Sequence, residues 1–257
     1  MSDCSTRETR ARRCYWVVLP AYNEELSLPR LLERISAAMV EAGALYRVIV
    51  VDDGSSDGTA AIAQEYAQRI PLFLERHSVN MGLGATIRDG ILRAIELSNE
   101  DDMIITMDAD NSHNPELIPR MGQLLREGND VVIASRYQRG SNVRGVPFVR
   151  RVLGHGASWL FRLIFPIREV RDYTCGYRAY RAAVLKQAVR HYRRDMFDQS
   201  GFQCMADILL KLRPLNLIFK EIPMILRYDM KGSKSKMKVA ETLQSTFFLI
   251  LKRRLGN

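Results

Sequence analysis

Five short runs rich in β-branched and aromatic residues, Tyr15 to Leu19, Arg47 to Val51, Leu72 to Glu75, Met103 to Met107 and Asp130 to Ala134, alternate with stretches whose apolar residues recur at helical spacing. Strands and helices in such alternation pack most readily as a mostly parallel sheet with helices on its faces, an α/β unit. The first helix is the best marked. Ser27 stands where a cap belongs, Pro29 lies in the first turn, Leu31, Leu32, Ile35, Ala38 and Met39 share one face, and Gly43 supplies a stop. The same logic predicts helices at Asp57 to Gln68, Leu83 to Leu97 and Pro115 to Arg126. Beyond them the chain reads as a basic loop from Arg136 to Arg151, an apolar helix around Trp159 to Phe165 and a polar turn from Asp172 to Arg178. A helix-rich stretch then runs to Leu212, followed by a short strand from Leu217 to Ile222 and a terminal helix from Val239. Residues 1–13 read as a flexible tail, 14–238 as a single domain with halves at 14–128 and 129–238, and 239–257 as an amphipathic helix.

A chain of 257 residues, 47% of them hydrophobic, sustains one sizeable core. Phe247 to Leu251 is the longest apolar stretch near the end, far short of the roughly 18 residues that cross a bilayer, and the first residues do not resemble a signal peptide, so no membrane span is expected. Cys4, Cys14, Cys175 and Cys204 form no Cys-x-x-Cys pair; this argues against a zinc ribbon or disulfide framework and fits packing residues in a reducing compartment. Charge is divided unevenly. Residues 1–128 hold 13 Lys+Arg and 20 Asp+Glu, whereas residues 129–257 hold 25 and 9, including all eight lysines. An acidic half suits an anionic ligand approached with the help of a cation, and a basic half suits a polyanion or a membrane surface.

In open α/β sheets ligands sit beyond the carboxyl ends of the strands, and those ends are unusually polar here. Asp108-Ala109-Asp110 is the strongest chemical signal: two carboxylates leaving a strand with one small residue between them can hold a hard divalent cation beside a diphosphate. Asp52-Asp53 ends another strand. Rival phosphate devices are missing, since Gly82-Leu83-Gly84 is followed by Ile87 where a dinucleotide fingerprint wants glycine, and no Gly-Lys-Ser/Thr P-loop occurs.

Six motifs in order, Pro20-Ala21-Tyr22-Asn23-Glu24, Val51-Asp52-Asp53-Gly54-Ser55-Ser56-Asp57-Gly58-Thr59, Asn80-Met81-Gly82-Leu83-Gly84, Asp108-Ala109-Asp110, Ser135-Arg136-Tyr137 and Asp172-Tyr173-Thr174-Cys175-Gly176-Tyr177-Arg178, resemble the family-2 glycosyltransferases. The resemblance is greatest to the branch of dolichyl-phosphate mannosyltransferases and bacterial polyprenyl-phosphate hexosyltransferases. It implies a Rossmann-like GT-A fold and a hexose moved from a nucleotide-diphosphate sugar, GDP-mannose or a UDP-sugar, to a polyprenyl phosphate with Mg²⁺ or Mn²⁺. By this resemblance Pro20, Tyr22 and Glu24 would hold the base and ribose, with Val51 and Asp53 beside them. Asp108, Ala109 and Asp110 would meet sugar, diphosphate and metal, and Asp110 would be the main ligand. Ser112 stands where dolichyl-phosphate mannosyltransferases commonly carry a metal-ligating Gln, so the shorter Ser112, an extra water or His113 is expected to complete the metal's shell.

The same resemblance makes Arg136 a contact for the acceptor phosphate, with Arg151 as a second candidate, and Arg227 with Lys236 or Lys234 a grip on the donor diphosphate, although the Arg-to-Lys spacing is stretched. A phosphate acceptor is already largely a nucleophile at neutral pH and needs no strong base. One in-line, inverting displacement is therefore expected. A hydroxyl acceptor would need a base, for which Asp172 is the candidate, and an Asp172→Asn exchange would separate the two readings. Leu153 to Ile167, with Trp159, Leu160, Phe161, Leu163, Ile164 and Phe165, and Thr246 to Arg254 are candidates for contact with a membrane surface. The expected place is the cytoplasmic face; a helix packed on the sheet or on a second subunit is the alternative for these stretches, and a membrane-anchoring partner or homodimer is among the expected partners. A nucleotidyltransferase would need a Gly-rich basic turn after the first strand, and the basic half lacks the aromatic-studded sheet or groove-reading helix of a nucleic-acid binder.

Overall fold

The computed structural model describes residues 13–232 and 239–255. Strands β1 (Cys14–Ala21), β2 (Leu45–Asp52), β3 (Leu72–Arg76) and β4 (Met103–Thr106) alternate with helices α1 (Leu28–Glu41), α2 (Thr59–Tyr66) and α3 (Leu83–Leu97). Next come α4 (Ile118–Arg126), β5 (Val131–Ser135), β6 (Asn142–Arg144), α5 (Phe148–Ile164), β7 (Arg178–Arg181) and α6 (Ala182–Tyr192). The series ends with α7 (Cys204–Leu212), β8 (Phe219–Pro223), β9 (Ile225–Arg227) and α8 (Val239–Leu255). Seven strands form one sheet in the order β3-β2-β1-β4-β7-β5-β8, and β6 pairs with β9 beside it. Val17, Val18, Leu19, Val48 to Val51, Ile104, Ile105 and Val131 to Ala134 are fully buried, as strands covered on both faces require.

Four of the five predicted strands lie in the parallel part of the sheet as β1 to β4, and the fifth, β5, pairs in parallel with β8. β7 runs antiparallel between β4 and β5, where the sequence predicts only a polar turn up to Arg178. A fully buried arginine hides that strand. The Arg178 guanidinium donates to the carbonyls of Met205 at 2.5 Å and Tyr173 at 2.8 Å, while Tyr177 and Tyr180 fill the core around it. Ser27 also departs from expectation: it has helical φ and ψ and makes no side-chain cap. The Glu24 carbonyl accepts from the N–H groups of Ser27 and Leu28 instead, leaving Ser27 Oγ to accept from Gly232 N at 3.3 Å. Gly43 does end the helix, with φ +59°.

After β1 the chain builds outward through β2 to β3, then returns to lay β4 on the other side of β1. The order of strands thus reverses at β1, and the carboxyl ends of β1 and β4 flank the crevice where such sheets bind ligands.

Helix α8 packs Leu249 and Ile250 into the core, while Phe247, Phe248 and Leu255 stay exposed. An ion network locks it to α7. The buried Lys211 ammonium meets Asp198 at 2.7 Å and Asp207 at 2.8 Å; Arg253 of α8 donates to Asp207 at 2.7 and 3.0 Å, and Lys252 meets Asp198 at 2.6 Å. Among the described residues no helix is long and apolar enough to cross a membrane. Asp207→Ala leaves Lys211 and Arg253 short of a buried partner, and urea unfolding should show a loss of about 3–5 kcal/mol with faster amide exchange along α8.

Candidate active site

A cleft of about 740 Å³ opens at the carboxyl ends of β1, β2 and β4. Pro20 lies at the end of β1 and Tyr22 just after it, Asp53 follows β2, and Asp108, Ala109, Asp110 and Ser112 follow β4; all line the cleft, with Glu24, His113 and Arg136. Val51 does not, because its side chain is fully buried within the sheet. Arg227 and Arg151 do not line it either, and Lys234 and Lys236 lie outside the described residues.

The acidic turn is held from several sides. Arg34 of α1 donates to Asn111 Oδ1 at 2.9 Å and Asn114 Oδ1 at 2.5 Å, and Asn111 takes the left-handed φ of +60° that asparagine tolerates. Ser112 gives Asp110 Oδ1 both its hydroxyl at 2.6 Å and its N–H at 3.0 Å, so this side chain orients the carboxylate. His113 accepts from Asp108 N at 3.2 Å through Nδ1 and stacks on Tyr177. That hydrogen bond occupies its Nδ1 lone pair and fixes the ring against the protein, leaving Nε2 3.7 Å from Asp108 Oδ2. The second Asp110 oxygen accepts from Lys231 at 2.7 Å. Burial would lift the Asp110 carboxyl, but Lys231 and His113 outweigh it and hold it below the ordinary range. Asp108, whose side chain remains 46% exposed, is lifted by desolvation among the surrounding protein, against the pull of His113 and with the push of Asp110.

Asp53 braces the next turn. Its Oδ1 faces His77 Nδ1 at 2.7 Å and accepts from Met81 N at 2.8 Å, and its Oδ2 accepts from Gly82 N at 2.9 Å. Gly82 has φ +88° and ψ 163°, a region open in practice to glycine alone. A Cβ on Gly84 would sit 1.8 Å from the Gln199 carbonyl oxygen, so residues 199 and 200 lean directly on the start of α3. His77, which also faces Asp89 at 3.0 Å, is invisible in the sequence because the fold alone brings it to Asp53.

On the opposite wall Arg136 grips Asp172 in a two-pronged pair, Nε to Oδ2 at 2.8 Å and Nη2 to Oδ1 at 2.6 Å, while its N–H also donates to Oδ2 at 3.0 Å. Cys175 N donates to the same carboxylate at 3.1 Å. Asp172 is fully buried; desolvation would raise its carboxyl, yet Arg136 prevails and holds it below the ordinary range. A carboxylate so engaged is a poor general base, and Asp172→Asn would misplace Arg136 whatever the acceptor, so that exchange does not separate the two readings. Desolvation also pushes the Cys175 and Cys204 thiols up to about 12, as packing residues.

Two cations in this wall differ from expectation. The Arg227 guanidinium is taken by Asp229 at 2.9 Å, and Lys231, two residues further on, reaches the acidic pair instead. Helix α5 begins at Phe148, well before the apolar helix predicted near Trp159. With about 100° of rotation per residue, Arg150, Leu153, Ala157 and Phe161 face the cleft, whereas Arg151 turns into a neighbouring basic pocket with Arg162 and Arg171. Arg150, held by the Tyr228 hydroxyl at 2.8 Å, therefore stands where the sequence suggested Arg151.

The family model described as "Glycosyl transferase family 2" matches residues 16–189, and the chain belongs to that family. It has the GT-A fold. It is 32% identical to a dolichol-phosphate mannosyltransferase of Pyrococcus furiosus over 86% of this chain, and it spans 58% of that relative's length. An undecaprenyl-phosphate mannosyltransferase of Micrococcus luteus is 33% identical over 80% of each chain. Glucosyl-3-phosphoglycerate synthase from Mycobacterium tuberculosis, solved in complex with Mg²⁺ and UDP, shares the fold at a TM-score of 0.65 and 19% identity, covering 95% of this chain and 79% of that one.

Arg136 holds Asp172 below the unfolded carboxylate value of about 4, so the pair's stabilisation is present above that value and is lost as pH falls through the lower, folded-state one. Arg136→Met leaves a buried, unpaired carboxylate and should cost about 3–5 kcal/mol near neutrality. Urea unfolding across pH should show this deficit shrinking as pH falls below about 4, towards the lowered folded-state value at which Asp172 of the parent takes up a proton.

Proposed function

We propose that the protein transfers mannose from a nucleoside-diphosphate sugar, GDP-mannose foremost and a UDP-hexose otherwise, to a polyprenyl phosphate at a membrane surface. One observation carries the reading: a single cleft joins the acidic pair at the end of β4 to a wall bearing Arg136 and Arg150, with an apolar extension along Leu153, Ala157 and Phe161. Carboxylates suit a metal–diphosphate, arginines suit a second phosphate, and the apolar run suits a prenyl chain. The names of the mannosyltransferase relatives support the choice of sugar and acceptor.

The residues fit a divalent cation. Lys231 already places a positive charge on Asp110. Among the described residues no three His, Cys, Asp or Glu side chains form a cage, as suits a Mg²⁺ or Mn²⁺ ion that takes its remaining ligands from substrate phosphates and water. Asp108 and Asp110 would hold that ion, which supplies charge neutralisation at the diphosphate.

Pro20, Tyr22, Glu24 and Asp53 line the donor end of the cleft, and Arg136 and Arg150 orient the acceptor phosphate. With a second pKa of about 6, that phosphate is largely dianionic at neutral pH. Its oxygen attacks the anomeric carbon as the bond to the diphosphate breaks, inverting the configuration. No proton need be removed, which agrees with an Asp172 already committed to Arg136. Exposed Trp159 and Leu163 on α5 and Phe247 and Phe248 on α8 would rest on the cytoplasmic face of the membrane.

Asp110→Asn should lower transfer roughly 10³-fold, the scale of losing metal-linked charge stabilisation. Arg150→Ala should lower kcat/KM for the lipid phosphate about 10- to 100-fold, as expected for one charge-assisted hydrogen bond. NMR coupling in the product should show an anomeric configuration opposite to the donor's; retention would refute the single displacement.

A further inference from the structure

Among the described residues, Lys231 is the one whose position competes with the proposed metal. Its ammonium lies 2.7 Å from Asp110 Oδ2, with side chains only 13% and 10% exposed. Asp110 Oδ1 is taken by Ser112, so the oxygen left to face a cation is the one Lys231 occupies. An ammonium and a divalent ion cannot share that oxygen, because like charges at such separations repel strongly in a partly buried cleft.

The placement is built into the chain. Arg227 N donates to the Ser112 carbonyl at 2.9 Å, Lys231 N to the Tyr228 carbonyl at 3.3 Å, and Gly232 N to Ser27 Oγ at 3.3 Å. Both ends of the 227–232 segment are thus tied down, one to the acidic turn and the other to the start of α1. The Lys231 ammonium also lies 5.6 Å over the Tyr228 ring, whose hydroxyl holds Arg150. Lys231 therefore stands between the donor and acceptor walls, and Arg227, paired with Asp229, does not reach the acids.

We propose that Lys231 is the site's internal counter-cation: it neutralises Asp110 in the unloaded enzyme and competes with the divalent ion for that carboxylate. Metal alone then binds weakly, and metal arriving with a diphosphate binds well, because the displaced ammonium finds a new anion in the same cleft. This inference rests on the metal reading given above, and it adds an order of loading. A pair closed in nine molecules of ten weakens apparent metal affinity about tenfold.

The test is Mn²⁺ alone, titrated without nucleotide and followed by electron paramagnetic resonance of the free ion. Lys231→Met and the hydrogen-bonding Lys231→Gln should each bind Mn²⁺ about tenfold more tightly than the parent, and Lys231→Arg, which keeps the charge, should not. Two neutral variants guard against one that folds poorly, as circular dichroism will show. Equal or weaker Mn²⁺ affinity in the neutral variants overturns the competition while leaving the metal reading intact, provided that Asp110→Asn abolishes binding to the parent. If Mn²⁺ binding shows no dependence on Asp110, the metal reading falls and the counter-cation falls with it.

Discussion

Asp108 and Asp110 leave the end of one strand with a single residue between them, and like charges gathered in a cleft need a cation. Much of the surrounding architecture follows from that electrostatic demand. The reversal of strand order at β1 creates the crevice, Arg34 and Ser112 fix the acidic turn, and Lys231 supplies positive charge from the far end of the chain. A turn rebuilt without these supports would keep its carboxylates and lose the direction in which they point.

The wall opposite the acidic turn meets a second demand, that of a buried charge. Asp172 has no exposed surface and is tolerated because Arg136 and backbone N–H groups satisfy it. β7 makes this possible: running antiparallel between β4 and β5, it delivers the Asp172 to Gly176 turn beside Asp108. The pair also bears on Asp172, since a carboxylate that accepts this many hydrogen bonds is better placed to orient an arginine than to remove a proton.

The parallel half of the sheet was legible because its strands are continuous β-branched runs and its helices carry apolar faces at regular spacing, as α1 does with Leu31, Leu32, Ile35, Ala38 and Met39. β7 was not, because Arg178 inside it mimics a surface residue, and only tertiary carbonyls from Met205 and Tyr173 make its burial tolerable. Within the site, Asp53, Asp108, Asp110 and Arg136 follow strands and could be located from the motifs. Arg150 and Lys231 depended on geometry that the sequence conceals: a helix longer than its apolar part suggests, and a loop whose spacing places one cation inward and the next outward. Arg227 was expected from the resemblance and Arg151 from its place at the end of the basic loop, and each lies within four residues of a cation that faces the cleft.

Residues 198–200 form a joint between distant parts of the molecule. Asp198 is held by cations of α7 and α8, and the following two residues lie against the backbone of Gly84, where Ser200 O accepts from Gly84 N at 2.7 Å. The terminal helix and the turn at Gly82 to Gly84 are therefore joined through one short segment. Phe247 and Phe248 emerge on the helix that borders the cleft with Thr242 and Thr246, so a load on those rings reaches the site both along the helix and through Asp198 and the Ser200 carbonyl.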